Sequence, residues 1–279
     1  MGLKIFLFYI CVIFSGWGIP WSSAQIEGLI PIEVEDVPVE VYVPKGFDAN
    51  DLTEIWVEGY FESQCEKYRP LTREDIDLSQ LDRGKIVIHN KNYLYQGFLC
   101  TPHLQRYQKR IEIGALGLDG EFTLAFMNER QEEKNKPDWS LPVAPVDPKY
   151  LEPEHPFGPD ADFYAPVKSF DFELLEDRST AQIVIHGDFS DPRMKIKTIE
   201  TRVHEKVIEV VPYLEHFDMD SEVQKQAYSE PFKSKPIQVE DVPNRRVLVH
   251  VRSLGGKSAS SIFDLSKTPR IEAKQEDRK

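Results

Sequence analysis

Between positions 137 and 166 the chain carries Pro137, Pro142, Pro145, Pro148, Pro153, Pro156, Pro159 and Pro166, eight prolines in thirty residues. Each proline removes a backbone donor and fixes φ, so neither a helix nor a central strand is expected to run through this stretch. It reads as an extended, fairly stiff connector over 137–166. The connector divides the chain into a first piece, 25–136, and a second, 167–265, each close to the size of one β-sandwich. Trp139, Tyr150 and Phe157 lie inside it. They are candidate binding residues, because aromatic anchors dominate interface energetics, or they pack the connector onto a domain.

Both pieces are dominated by strand patterns. Residues 32–43 (IEVEDVPVEVYV) alternate apolar and polar, as a half-buried strand must. Segments 54–61, 85–90, 93–99, 110–116 and 121–126 follow in the first piece. Segments 169–175, 182–189, 195–203, 206–214 and 246–254 follow in the second. Short strands at such spacing, separated by turn residues, predict an all-β fold of two tandem sandwiches. Cap-like pairs at Thr72 with Asp75 and Ser221 with Gln224 allow brief helical turns, or loops.

The pieces also echo one another. Ile55–Phe61 (IWVEGYF) aligns with Ile183–Phe189 (IVIHGDF) at an offset of 128. IEIGALGLDGEF (111–122) is similar to VHVRSLGGKSAS (249–260) in its strand, Leu-Gly and turn layout. PIEVEDVP (31–38) and PIQVEDVP (236–243) share seven of eight residues at an offset that does not fit the domain repeat. This last pair suggests two edge strands, each ended by a proline that discourages edge-to-edge pairing.

The first 24 residues read as a removable export signal. Lys4 precedes an apolar run from Ile5 to Trp17, too short to span a bilayer, and Ser22 and Ala24 occupy the positions a signal peptidase reads. Removal leaves Cys65 and Cys100, which in an oxidising compartment are expected to pair. The alternative is a catalytic thiol, with His103 three residues after Cys100. The expected product has no membrane span and works in the periplasm or outside the cell. The tail 266–279 is polar and expected to be disordered. A net charge of −13 argues against nucleic acid, whose phosphates require a basic footprint.

The segment Leu116-Gly117-Leu118-Asp119-Gly120-Glu121-Phe122 resembles the Leu…Asp-x-Gly-x-Tyr turn of immunoglobulin-like domains. Phe122 stands where that turn places a tyrosine, and no Trp separates Cys65 from Cys100. Together with the strand rhythm, the chain resembles exported bacterial proteins with immunoglobulin-like sandwiches. The resemblance implies fold only, since such folds host unrelated functions.

Catalytic signatures are few. There is no Gly-x-Ser-x-Gly, and His204-Glu205 lacks the second His of a zinc-protease helix. Gly256-Lys257-Ser258 resembles the end of a phosphate loop, but Val251 stands where that loop needs glycine. His89, His186 and His250 fall in predicted strands and read as cross-strand or core residues. Asp48-Ala49-Asn50-Asp51 resembles the start of the cadherin linker motif, and Leu81-Asp82-Arg83-Gly84 its Leu-Asp-Arg-Glu. This makes Asp48, Asn50 and Asp51 candidate calcium ligands, against the simpler reading of a solvated turn in which Asp48 and Asn50 bond their own backbone. Asp218, Asp220 and Glu222 form a second acidic run.

The expectation is an exported, non-enzymatic binding or assembly module with a protein or envelope polysaccharide as partner and no required cofactor. The alternatives are a carboxylate-dependent hydrolase of polysaccharide or peptide and a calcium-dependent, adhesion-like module.

Overall fold

The computed structural model describes residues 31–49, 51–96, 100–127, 139–145, 164–215 and 229–266. The export-signal segment 1–24, Asn50, Tyr150, Phe157, the 221–224 cap, the acidic run at 218–222 and the tail beyond Ser266 lie outside the described residues. Those described form an all-β structure with only single turns of 3-10 helix. Among them no helix is long and apolar enough to cross a membrane.

The first lobe runs β1 (Ile32–Glu35), β2 (Glu40–Tyr42), β3 (Phe47–Asp48), β4 (Thr53–Ser63), β5 (Glu66–Lys67), β6 (Ile76–Asp77), β7 (Lys85–Ile88), β8 (Lys91–Leu94), β9 (Pro102–Gly114), β10 (Gly120–Phe126) and β11 (Trp139–Ala144). Its sheets have the strand orders β2-β4-β9, β3-β11-β10-β7-β6 and β1-β8-β5. Ile55, Val57, Ile111 and Ile113 from the first sheet share one core with Ile86, Ile88, Phe122, Leu124, Leu141 and Val143 from the second. Each fully buried side chain of this kind contributes roughly 1.5–3 kcal/mol, so facing rows of them hold the two sheets together.

The second lobe runs β12 (Val167–Leu174), β13 (Ala181–Phe189), β14 (Ile196–His204), β15 (Val207–Leu214), β16 (Glu230–Lys233), β17 (Ile237–Val239), β18 (Arg246–Ser253) and β19 (Lys257–Asp264). One sheet is β12-β13-β16 with β17 also on β13, and the other is β14-β15-β18-β19. Ala181, Ile183 and Ile185 share a core with Ile208, Val210, Val247, Val249 and Val251.

The two lobes repeat one plan. Hairpins β6/β7 and β10/β11 are joined by a parallel β7·β10 pair, and hairpins β14/β15 and β18/β19 by a parallel β15·β18 pair. Strands β4 and β13, the pair aligned by sequence, are each central in the other sheet of their lobe. Gly59 and Gly187 match within that alignment, and each is covered by an aromatic ring from the strand opposite, Tyr107 over Gly59 and Phe232 over Gly187. Those rings in turn lie against Phe61 and Phe189, with centroids 4.9 and 4.4 Å apart. The second alignment does not hold. IEIGAL ends β9, which pairs with β4, whereas VHVRSL ends β18, whose counterpart is β10.

Two further expectations are corrected. Residues 32–43 are two strands in different sheets. Pro38 has no N–H for a ladder, and the chain crosses from one sheet to the other through Asp36, which bonds Asn90, and Val39, which bonds Glu58. The proposed connector begins with a strand, β11, between β3 and β10. Pro142 is accommodated because β3 pairs only with Val143 and Ala144, leaving Pro142 a neighbour on the β10 side alone. The related octapeptides do form terminal strands: among the described residues β1 pairs only with β8 and β17 only with β13.

Cys65, in the turn after β4, is bonded to Cys100, just before β9, with Cα atoms 5.5 Å apart. The disulfide leaves neither sulfur as a thiolate, which removes the catalytic-thiol alternative.

Candidate ligand groove at the lobe junction

Strand β4 buries both its faces. Ile55 and Val57 enter the core of their own lobe, while Glu54, Trp56 and Glu58 point at the second lobe. Strand β18 does the same: Val247, Val249 and Val251 turn inward, and Arg246, Leu248 and His250 meet the first lobe. The two rows run antiparallel and pair in sequence. Arg246 Nε lies 2.9 Å from Glu58 Oε2, Trp56 packs with Leu248, and His250 Nε2 lies 2.8 Å from Glu54 Oε1. Tyr42, Val207 and Ile262 complete the apolar middle rung. Arg252 ends the seam, donating to Asp51 Oδ2 at 3.3 Å, to Tyr164 Oη at 3.0 Å and to the Lys45 carbonyl at 2.8 Å.

The carboxylates are held from both sides. Glu54 also accepts from Ser258 and from Arg110 of β9, and Glu58 accepts from Tyr42 and Gln108, each at 2.8 Å. Burial opposes ionisation of Glu54, but the His250 and Ser258 hydrogen bonds and the charge of Arg110 outweigh it and hold its carboxyl down at about 2. Glu58 is likewise lowered, against burial, by Arg246, Tyr42 and Gln108. Asp51 moves the other way: burial raises it, and Arg252 only partly offsets this.

Asp51, Glu54, Tyr164, His250 and Arg252 surround a cavity of about 20 Å3, room for a single water. Beside it opens a much larger groove of about 870 Å3 between the start of β4, the 68–76 segment, the end of β9 and the 255–257 turn. Its apolar floor includes Leu52 and Leu71, with the exposed ring of Tyr68 alongside. Arg73 from the first lobe and Lys257 from the second both line it and are exposed. Neither forms an ion pair with a carboxylate among the described residues. Gly256, at φ +69°, lets the second-lobe turn pass under Leu52, whose Cδ1 would lie only 2.6 Å from an added Cβ.

The sequence-derived candidates are placed differently. Asp48 and Asp51 cap each other's backbone: Asp48 N–H donates to Asp51 Oδ2 at 2.9 Å and Asp51 N–H to Asp48 Oδ1 at 3.1 Å. Arg252 also donates to Asp51 Oδ2, so one oxygen of each carboxylate, Asp48 Oδ1 and Asp51 Oδ2, is engaged by these bonds. Asn50, their partner in the calcium reading, lies outside the described residues. In the cadherin-like piece, Gly84 sits at φ +69° as the cap of the 3-10 turn Leu81–Arg83. Trp139 is half-buried in β11, edge-on to Phe126 at 5.3 Å, so it belongs to the first core. His89 and His186 bond Glu35 and Asp171, at 2.7 and 2.8 Å. Tyr68 and Arg73 carry no local motif and Lys257 stands only in the incomplete phosphate-loop ending, whereas the signal for the seam is the polar set Arg246, His250 and Arg252 alternating with valines in β18. No family model matches the chain, and neither a curated protein nor a solved structure matches it.

Proposed function

We propose that this is an exported, non-catalytic binding module, built from two immunoglobulin-like sandwiches, that holds an acidic polysaccharide in the groove at the lobe junction. The pair of facing sheets common to both lobes supports the immunoglobulin-like reading, with the parallel β7·β10 and β15·β18 pairs and the added β1-β8-β5 sheet of the first lobe as departures from it. The Cys65–Cys100 bond suits an oxidising compartment, in keeping with the export signal read in residues 1–24.

The observation that carries the reading is the pair of exposed cations, Arg73 and Lys257, one from each lobe, facing a common groove in a chain of net charge −13. A carboxylate-bearing sugar chain answers both, and the Tyr68 ring offers a flat apolar face to a pyranose ring. Titration calorimetry with polygalacturonate and with a neutral glucan tests this. Binding of the acidic polymer alone is expected, weakening with salt and lost in an Arg73→Glu, Lys257→Glu variant. Unchanged affinity in that variant overturns the assignment.

A carboxylate-dependent hydrolase draws support from the opposite displacements of Asp51 and Glu54, the pattern of an acid beside a base. The cavity they share, about 20 Å3, admits a water and no sugar ring. Their role is therefore read as locking the lobes together. Polymer recovered from the calorimeter should be uncut, and shortened chains would restore the hydrolase reading.

A further inference from the structure

Lys109 occupies an inward-facing position of β9, in register with Val57, where its neighbours on that face are Tyr107 and Ile111. Its side chain is wholly buried, at 0% exposure, and so is Asn90, in the bend between β7 and β8. Lys109 Nζ lies 2.9 Å from Asn90 Oδ1 and 2.7 Å from the Lys91 carbonyl, with the Tyr107 and Tyr68 rings over it. The amide nitrogen of Asn90 faces a second group. Nδ2 lies 3.0 Å from Tyr107 Oη, and that hydroxyl donates in turn to the Asp36 carboxylate. A buried amine, a carboxamide and a proton relay ending on the carboxamide's own nitrogen therefore stand in one water-poor pocket.

We infer that Lys109 and Asn90 join through an isopeptide bond, formed by the folded protein itself. Lys109 Nζ passes its extra proton to Asp36 and attacks Asn90 Cγ as the neutral amine. The new Cγ–Nζ bond forms as a second proton leaves Nζ for the Asp36 carboxylate, which has by then handed its first proton on to Tyr107. Nδ2 gains a proton from the Tyr107 hydroxyl, which is replenished from Asp36, and the Cγ–Nδ2 bond breaks. The departing nitrogen leaves as ammonium with both protons shed by Nζ, Asp36 returns to its carboxylate, a secondary amide remains, and nothing is oxidised or reduced. Burial depresses the Lys109 ammonium to about 8, against the pull of Asp36, so the attacking form is accessible near neutral pH. Burial and Asp36 both push the Tyr107 hydroxyl upward, keeping it a proton carrier. The product would tie β9 to the β7–β8 bend across the first core, in a loop interlaced with the one closed by Cys65 and Cys100.

Peptide mapping by mass spectrometry of the purified, folded, then reduced protein tests this. Trypsin should release IVIHNK (86–91) linked to YQKR (107–110), lighter than the sum of the two by the ammonia lost, about 17 Da. The linked peptide locates the bond, because cyclisation of an N-terminal Gln25 removes the same mass elsewhere. Lys109→Met should abolish the linked species, and Asp36→Asn should slow its formation in protein that still carries the Cys65–Cys100 bond. Recovery of Asn90 and Lys109 in separate, unmodified peptides from the wild-type protein, kept folded at pH 8 beforehand, overturns the inference whether or not either variant folds.

Discussion

The imidazole Nε2 of His250 lies 2.8 Å from Glu54 Oε1 across the lobe boundary, with both side chains under 5% exposed. Truncating one partner strands the other, and removing half of such a buried pair costs about 3–5 kcal/mol. Glu54→Ala should lower unfolding stability by that order in urea melts at pH 7.

The same pair sets an acid limit. The folded carboxyl of Glu54 titrates near 2 and its ordinary value is 4.5, so its ionised contribution is present above about 4.5 and is lost as pH falls from there through about 2. The stability gap between the wild type and Glu54→Gln should close over that window. A gap that stays constant down to pH 2 would show that the charge of Glu54 is not what secures the seam.

Gly256→Ala meets two obstacles. The left-handed backbone at φ +69° costs an L residue about 1–2 kcal/mol, and the new methyl presses on Leu52. In a Leu52→Ala background the contacts with Cγ and Cδ1 vanish, so most of the steric part should go while the backbone part and the 3.1 Å approach to Cβ remain. Equal losses in both backgrounds, read from thermal melts, would mean that Leu52 yields freely.

Gly59→Ala and Gly187→Ala separate two kinds of crowding at equivalent places. At Gly59 the obstacle is the Tyr107 ring, which can tilt, with a cost of about 1–3 kcal/mol. At Gly187 it is the Pro166 carbonyl as well as Phe232, and backbone moves less readily. Denaturant titrations should show Gly187→Ala as the more damaging, and the reverse order would contradict this account of the packing.

Replacing Cys65 and Cys100 together by Ser should cost at most roughly 3.5–4 kcal/mol, the entropy of freeing a 35-residue loop. Because the bond belongs to the first lobe, the loss should register in hydrogen exchange on β4 and β9 before β13.

The strand rhythm made the all-β class legible, and β4, β13, β14, β15 and β18 fall within a residue or two of their expected limits. What misled was local chemistry overruled at longer range. Eight prolines argued against a strand, yet Trp139 and Leu141 had a hydrophobic wall to fill and Pro142 found an unpaired flank. Strand β19 (KSASSIFD) is too polar to declare itself and exists because β18 offers it eight partners in register. The groove was harder still. Arg73 and Lys257 are 184 positions apart in the chain, and only the stacking of β4 on β18 brings their surroundings together.

That stacking has a directional sign. Of the ion pairs that cross the boundary, the acids Glu40, Asp51, Glu54 and Glu58 come from the N-terminal half and the bases Lys206, Arg246, His250 and Arg252 from the C-terminal half. A protease cutting between Ala144 and Tyr164 would thus liberate two fragments whose seam faces carry opposite charges. They should recombine spontaneously, quickest in dilute buffer, much as separate proteins with complementary charged patches do.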